Sequence, residues 1–307
     1  MNTKLFKIEK IQNIKISENS NVRVYRCGNV LEVKWLQKIN TKPTVKKINN
    51  DLYMKVRTGE VFEYQRKDFE GSRTDNIKNV KRSLSELRRI INYNVVDVSK
   101  ARWLTLTYKE NMKDTKRLYD DVRKFLMRLK YYYKDYKIEY INVVEPQGRG
   151  AWHCHLMLLF DKIAPFIKND ELSKLWGFGF VSVKALDDDV DNIGAYLSAY
   201  LSDISFDDAQ ALGMIKKGLT SEQIGGEGIK EVKGKKYLKG FRMRLYPTGL
   251  NIYRTSRGIK KPSVIAVTEG ECAKLRGSAK LTYESTVAIS DGEFQNIINT
   301  RYFNLKR

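Results

Sequence analysis

Two rhythms of apolar and polar positions trade places along this chain. Residues 21–25, 30–35, 52–56 and 61–64 alternate in short runs between turn residues, which predicts a small strand-rich portion near the N-terminus. Between residues 75 and 92 the period lengthens, and Ile77, Val80, Leu84, Leu87 and Ile91 fall on one face of a helix, read as a linker. Beyond residue 101 the rhythms interleave. Strands are expected at 103–108, 138–145, 151–160 and 179–185, and helices at 115–133, 170–176 and 190–204. The first of these helices has the clearest stripe, Leu118, Val122, Phe125, Leu129 and Tyr133. The order βαββαβ followed by one more helix predicts an α+β fold with a mainly antiparallel sheet, the split βαβ or ferredoxin-like arrangement. The expected organisation is a strand-rich accessory region (1–72), a linker helix (73–98), a core (99–210) and a basic extension packed on that core (211–307).

The strand at 151–160 carries the first chemistry. The chain has two histidines, and both are there, as His153 and His155 in AWHCHLMLLF. Side chains alternate along a strand, so the two imidazoles share a face about 6.5 Å apart, while Cys154, Leu156 and Leu158 point the other way. Burying two imidazoles side by side without partners is costly, and neutral imidazole is a common metal ligand. The plainer alternative is a pair of core histidines satisfied by backbone carbonyls. Two ligands are too few for a metal site, and Glu145 ends the preceding apolar run. Residues 146–150 supply the turn of a hairpin, which puts Glu145 on the histidine face if odd positions pair with odd. Two imidazoles and a carboxylate leave positions open for substrate oxygens and suit magnesium or manganese about as well as zinc. A structural zinc site is not expected, because Cys27, Cys154 and Cys272 form no spaced pair.

Charge then narrows the substrate. Lys and Arg number 57 against 36 Asp and Glu, a formal net charge of +21, which suits a polyanion. The excess concentrates in residues 230–261, where eleven basic residues stand against one acid, Glu231. The candidate DNA contacts are Lys230, Lys233, Lys235, Lys236, Lys239, Arg242, Arg244, Arg254, Arg257, Lys260 and Lys261, with Arg149 in the hairpin turn. Phe241, Tyr246 and Tyr253 lie among them, as base stacking or strand packing would require. The absence of a long apolar run or a signal-peptide core predicts a soluble intracellular protein without a membrane partner, and unpaired cysteines fit a reducing cytoplasm.

The helix at 190–204 holds the second chemical signal. Val190, Ile193, Leu197, Leu201 and Ile204 make its apolar arc, and Tyr196 and Tyr200, four apart, stand together at the arc's edge. Such a pair is ordinarily packing. Beside a metal-ligand strand it becomes a candidate nucleophile pair, since a phenolate can attack phosphorus and hold it as an ester.

Taken together, WLTLTY (103–108), WHCHLMLLF (152–160) and YLSAY (196–200) resemble the motifs of rolling-circle replication initiators of the HUH endonuclease superfamily, two-tyrosine type. LWGFGFVSVK (175–184) and YRTSRGIKKP (253–262) are similar to segments of plasmid, phage and integrative-element initiators, and the likeness covers about residues 75–262. The resemblance implies an HUH core over 99–210 in which His153, His155 and Glu145 bind Mg²⁺ or Mn²⁺. It implies that Tyr196 attacks single-stranded DNA at a replication origin, leaving a 5′-phosphotyrosyl bond and a free 3′-hydroxyl, and that Tyr200 serves a second cleavage or strand transfer. Host helicase and DNA polymerase are the implied partners, in a bacterial cytoplasm. One position departs from the pattern: many members have lysine where Ala199 stands, and Lys216 and Lys217 are candidates to replace it. The alternatives are an HUH relaxase or single-strand transposase and, from another class, a non-catalytic basic DNA-binding protein or autorepressor. A phosphodiesterase with two separate histidine motifs is disfavoured, since no third histidine exists.

Overall fold

The structure, a computed structural model, describes residues 7–12, 14–39, 45–49, 51–63, 73–148, 150–187, 190, 192–215, 229–232, 234–290 and 295–306. Arg149, Lys216, Lys217 and Lys233 lie outside the described residues. The chain forms two compact units, one of residues 1–25, 31–72 and 264–307, the other of residues 26–30 and 73–263.

The first unit opens with β1 (Lys7–Lys10), β2 (Asn21–Cys27) and β3 (Val30–Leu36), and a small meander of β4 (Val45–Lys47), β5 (Leu52–Lys55) and β6 (Val61–Glu63). The alternation along β2 buries Val22 and Val24 and leaves Asn21 and Arg23 outside, as a sheet with one covered face requires.

The second unit follows as α1 (Arg73–Asn94), β7 (Ala101–Leu106), α2 (Thr115–Tyr132), β8 (Ile138–Pro146), β9 (Trp152–Phe160), α3 (Asn169–Trp176), β10 (Val181–Ala185) and α4 (Ile193–Ser202). It continues with β11 (Ile204–Ser205), α5 (Phe206–Ala211), β12 (Ile229–Val232), β13 (Lys235–Leu238), a 3-10 turn at Phe241–Leu245 and β14 (Tyr253–Thr255). Its main sheet runs β10-β7-β9-β8-β14, and every neighbouring pair is antiparallel. The fold is α+β with mostly antiparallel sheets. On one sheet face lie Leu104, Leu106, Cys154 and Leu156, all fully buried. Helix α2 covers this side, its start fixed by Asp114, whose carboxylate accepts from the amides of Lys116 and Arg117. The buried Tyr108 hydroxyl donates to Asp121 of α2 at 3.0 Å, and Trp176 of α3 meets Phe125 edge to face. The other face carries Trp103, Thr105, His153 and His155.

Helix α1 is not a linker. Val80, Leu84, Leu87, Ile90 and Ile91 are buried in the core of the second unit, and α1 packs on α4. Each such side chain contributes about 1.5–3 kcal/mol when fully buried, which a solvent-bridging helix could not gain.

The tyrosine helix is shorter than its apolar arc predicts. Asn192 caps it by accepting from the Ala195 amide, and Asp203 ends it. Val190 lies before the helix, and Ile204 belongs to a strand that pairs with β13.

After β14 the chain returns to the first unit with β15 (Val264–Thr268), α6 (Glu269–Arg276), β16 (Lys280–Ser290) and β17 (Gln295–Asn304). They complete a six-stranded sheet, β1-β16-β17-β3-β2-β15. Glu269 and Arg301 join α6 to β17 by two bonds of 2.6 and 2.7 Å. The expected single extension at 211–307 is therefore divided near residue 263, because β15 pairs with β2 and β16 with β1. Periodicity marks a strand but does not name its partner. Among the described residues no helix is long and apolar enough to cross a membrane.

Candidate functional site

The hairpin of β8 and β9 sets the site's register. Gln147 N donates to Ala151 O and Gly150 N to Gln147 O, with Gly150 in the left-handed region at φ 81°, a conformation glycine adopts without steric penalty. Glu145 thereby stands opposite His153, and His155 opposite both Val143 and Thr105. The three expected ligand residues do share one sheet face.

Their contacts are specific. His155 Nε2 lies 2.5 Å from Glu145 Oε2, and its Nδ1 is 3.1 Å from Thr105 Oγ1. The Trp103 ring stacks on the His155 imidazole at 5.2 Å and 12°, fixing its plane. His153 Nδ1 accepts from Gln147 Nε2 at 2.9 Å, and the two imidazole centroids are 6.5 Å apart. Glu145, only 7% exposed, also binds Arg242, whose Nη1 reaches Oε1 at 2.6 Å. Burial disfavours the Glu145 carboxylate. The hydrogen bond and charge of His155, with Arg242 and His153 behind it, outweigh that and hold its pKa below the ordinary value.

Arg242 was expected among the DNA contacts. In the structure it points inward, donating from Nη1 to Pro146 O and from Nε to Asp203 O. Asp203 in turn accepts from Gly240 N and ion-pairs with Lys230. The 3-10 turn is thus tied to both the carboxylate strand and the end of α4. Sequence could not signal this, because an arginine in a basic run looks the same whether it faces DNA or a buried carboxylate.

Among the described residues no three His, Cys, Asp or Glu side chains converge as they would around a metal ion. The donor set still fits a divalent cation in kind, two imidazoles and one carboxylate. What prevents convergence is visible: one oxygen of Glu145 is taken by His155 and the other by Arg242.

The tyrosines complete the picture. Tyr196 and Tyr200 are 49% and 46% exposed, their rings meet edge to face at 5.4 Å, and their hydroxyls are 2.9 Å apart. Burial first, then the hydrogen bond to Tyr196, pushes the Tyr200 pKa up to about 12. Both line a cavity of about 290 Å³ whose wall also includes Trp103, Thr105, His155 and Lys184. Residues 101–205 match the family of the replication-associated protein ORF2. That stretch is about a third of the chain and runs from the first residue of β7 to the last of β11. It includes Glu145, both histidines and both tyrosines, and it leaves out the first unit and the basic segment. No curated protein and no solved structure matches the chain. The match supports a replication-associated protein.

Within the replication-associated stretch, α4 is seated by α1. Asn92 receives the Gly194 amide at 2.7 Å and donates to the cap Asn192 at 2.8 Å. A Cβ on Gly194 would lie 2.3 Å from Arg88 O and 2.9 Å from Asn92 Oδ1. Gly194→Ala should therefore push the helix off α1 and destabilise the protein by about 1–3 kcal/mol, read as a lowered urea midpoint. Gly270→Ala, where a Cβ meets nothing closer than 3.6 Å, is the control and should leave the midpoint unchanged or raise it.

The remaining basic residues are placed separately. Lys235, Lys236, Lys239, Arg244, Arg254, Arg257, Lys260 and Lys261 are exposed, while Lys261 ion-pairs with Glu86 at 2.6 Å. Arg244 lies over the Phe241 ring at 4.6 Å and Arg254 over Tyr119 at 3.5 Å. Tyr246 is not a stacking surface: it is buried and its hydroxyl donates to Leu201 O.

Proposed function

We propose that this protein is a rolling-circle replication initiator of the HUH kind, a sequence-specific nickase and strand transferase acting on single-stranded origin DNA. The observation that carries the reading is the cavity into which a histidine of the HUH pair and both tyrosines open. The strand order β10-β7-β9-β8 with its βαββαβ sequence suits the ferredoxin-like core of such enzymes.

Tyr196 would attack the phosphorus with its phenol oxygen. A Tyr–O–P bond forms, the bond from phosphorus to the 3′ oxygen breaks, and the DNA 5′ end stays on the protein. One proton leaves the phenol and one is taken up by the departing 3′ oxygen, which ends as a hydroxyl that a host polymerase can extend after a helicase parts the strands. Tyr200, 2.9 Å away, can donate to the Tyr196 oxygen as charge builds there, and can itself attack in a second cleavage or strand transfer. Glu145, His153 and His155 would hold Mg²⁺ or Mn²⁺, which supplies charge neutralisation at the phosphate. Holding it requires His155 Nε2 to give up its contact with Glu145, and His153 to carry its proton on Nδ1, facing an amide oxygen of Gln147. Exposed cations of the 235–261 segment would attract the phosphate backbone. The site of action would be the bacterial cytoplasm.

The test is incubation with 5′- and 3′-labelled single-stranded oligonucleotides tiling the DNA around the gene, with Mn²⁺ or with EDTA. The expected result is a metal-dependent covalent adduct on a denaturing gel, labelled from the DNA segment 3′ of the cut and mapping to the peptide with Tyr196 and Tyr200. Tight binding of DNA with no adduct under any metal would overturn the reading in favour of a non-catalytic DNA-binding protein.

A further inference from the structure

The tyrosine helix has no charge of its own: α4 reads IGAYLSAYLS. Attack on a phosphodiester gathers negative charge at the phosphate and the phenol oxygen, and a site that lowers this barrier presents a fixed cation there. The neighbouring cations are already committed. Arg242 is held by Glu145, Pro146 and Asp203, and Lys230 by Asp203. One lysine or arginine lines the tyrosine cavity among the described residues, and it is Lys184.

Its placement follows from the sheet. Strand β10 is the edge strand, and its register sets Lys184 opposite Trp103, two residues from Thr105 on the same face. Lys184 therefore shares the face of the ring that stacks on His155. Its Nζ lies 6.0 Å from the centre of the Tyr200 ring, and the residue is exposed. A flexible ammonium on a sheet edge beside an open cavity can reach a phosphate oxygen without breaking any core contact. Asp187 lines the same cavity.

We propose that Lys184 is the phosphate-binding residue of the tyrosine cavity, meeting the backbone of single-stranded DNA at the phosphate under attack. The inference rests on the nickase reading for the word attack, but not for the contact itself. A lysine that meets a phosphate releases a counterion when DNA binds, so it appears in the salt dependence of affinity.

The experiment measures binding of a fluorescent thymidine 20-mer across a series of sodium chloride concentrations for wild type, Lys184→Gln, Lys184→Arg and Lys174→Gln. Lys174 is an exposed lysine of α3. Lys184→Gln should flatten the slope of log affinity against log salt by about 0.7, the value of one phosphate contact on a single strand. Lys184→Arg should keep the wild-type slope, and Lys174→Gln should leave it unchanged. Where the origin strand is cut, Lys184→Gln should slow adduct formation about 100-fold, and Lys184→Arg should restore most of it. A wild-type slope in Lys184→Gln overturns the proposal. Failure of wild type to form any adduct overturns the nickase reading instead, and the slope still decides whether Lys184 meets a phosphate.

Discussion

Arg242→Met should destabilise the protein by about 3–5 kcal/mol, because it removes the partner of a buried carboxylate and leaves that charge uncompensated. Glu145 is 7% exposed, and Arg242 Nη1 stands 2.6 Å from its Oε1. Methionine keeps the length and apolar stem of the side chain, so the loss measures the missing guanidinium rather than a cavity. The second substitution Glu145→Gln, made in the Arg242→Met background, removes the stranded charge and should recover much of the stability. Arg242→Lys should lie between, since an ammonium keeps the charge but cannot hold Glu145, Pro146 and Asp203 at once. The pH dependence has a definite sign. The folded-state pKa of Glu145 is depressed below its ordinary 4.5. Its contribution is then present above pH 4.5 and is lost as pH falls through the folded value. The gap between wild type and Arg242→Met should accordingly be widest near neutrality and shrink in acid. Urea unfolding at about pH 7 and about pH 4 measures it, and a loss under about 1 kcal/mol at neutral pH would mean that His155 alone compensates Glu145.

The contrast between Glu145 and Arg242 shows what a sequence of this kind discloses. Glu145, His153 and His155 were legible because strand alternation and a short hairpin fix which side chains share a face, and the observed register pairs Glu145 with His153. The interleaved elements from β7 to α4 were legible for the same reason, since local period and capping residues determine them. Tyr196 and Tyr200 were legible as neighbours on a helix edge. Partners distant in sequence were not. Nothing local says that Arg242 turns back to Glu145, that Lys184 comes level with Trp103, or that strands after residue 263 join those before residue 37. The helix at 73–94 was seen as a helix yet misplaced as a linker, because an apolar stripe shows that a face is buried and not what buries it. Tyr246 was misread for the complementary reason: aromatic residues between cations look alike whether they stack on bases or on a core.

The two tyrosines should prove unequal in the first cleavage. Tyr200 keeps its proton to about pH 12, held by burial and by its bond to Tyr196. Throughout the neutral range it is therefore the donor available to the Tyr196 oxygen 2.9 Å away, and Tyr196 is the better placed nucleophile. Tyr196→Phe should reduce the rate of the first covalent adduct by at least about 10⁴-fold, as expected when the nucleophile itself is removed. Tyr200→Phe should cost about 10²-fold in that step, the effect of one lost donor to developing charge, while abolishing any second cleavage or strand closure. Rates from a quenched time course on a labelled origin strand separate the two. Equal first-step losses in both variants would mean that the hydroxyls are interchangeable, and an adduct surviving the double variant would place the nucleophile outside α4. Alkali supplies an independent check. The raised pKa of Tyr200 gives a contribution to stability that is present below its ordinary value of 10 and lost as pH climbs towards 12. Tyr200→Phe should therefore lose less stability than wild type between pH 10 and 12, a difference that unfolding midpoints across that range would register.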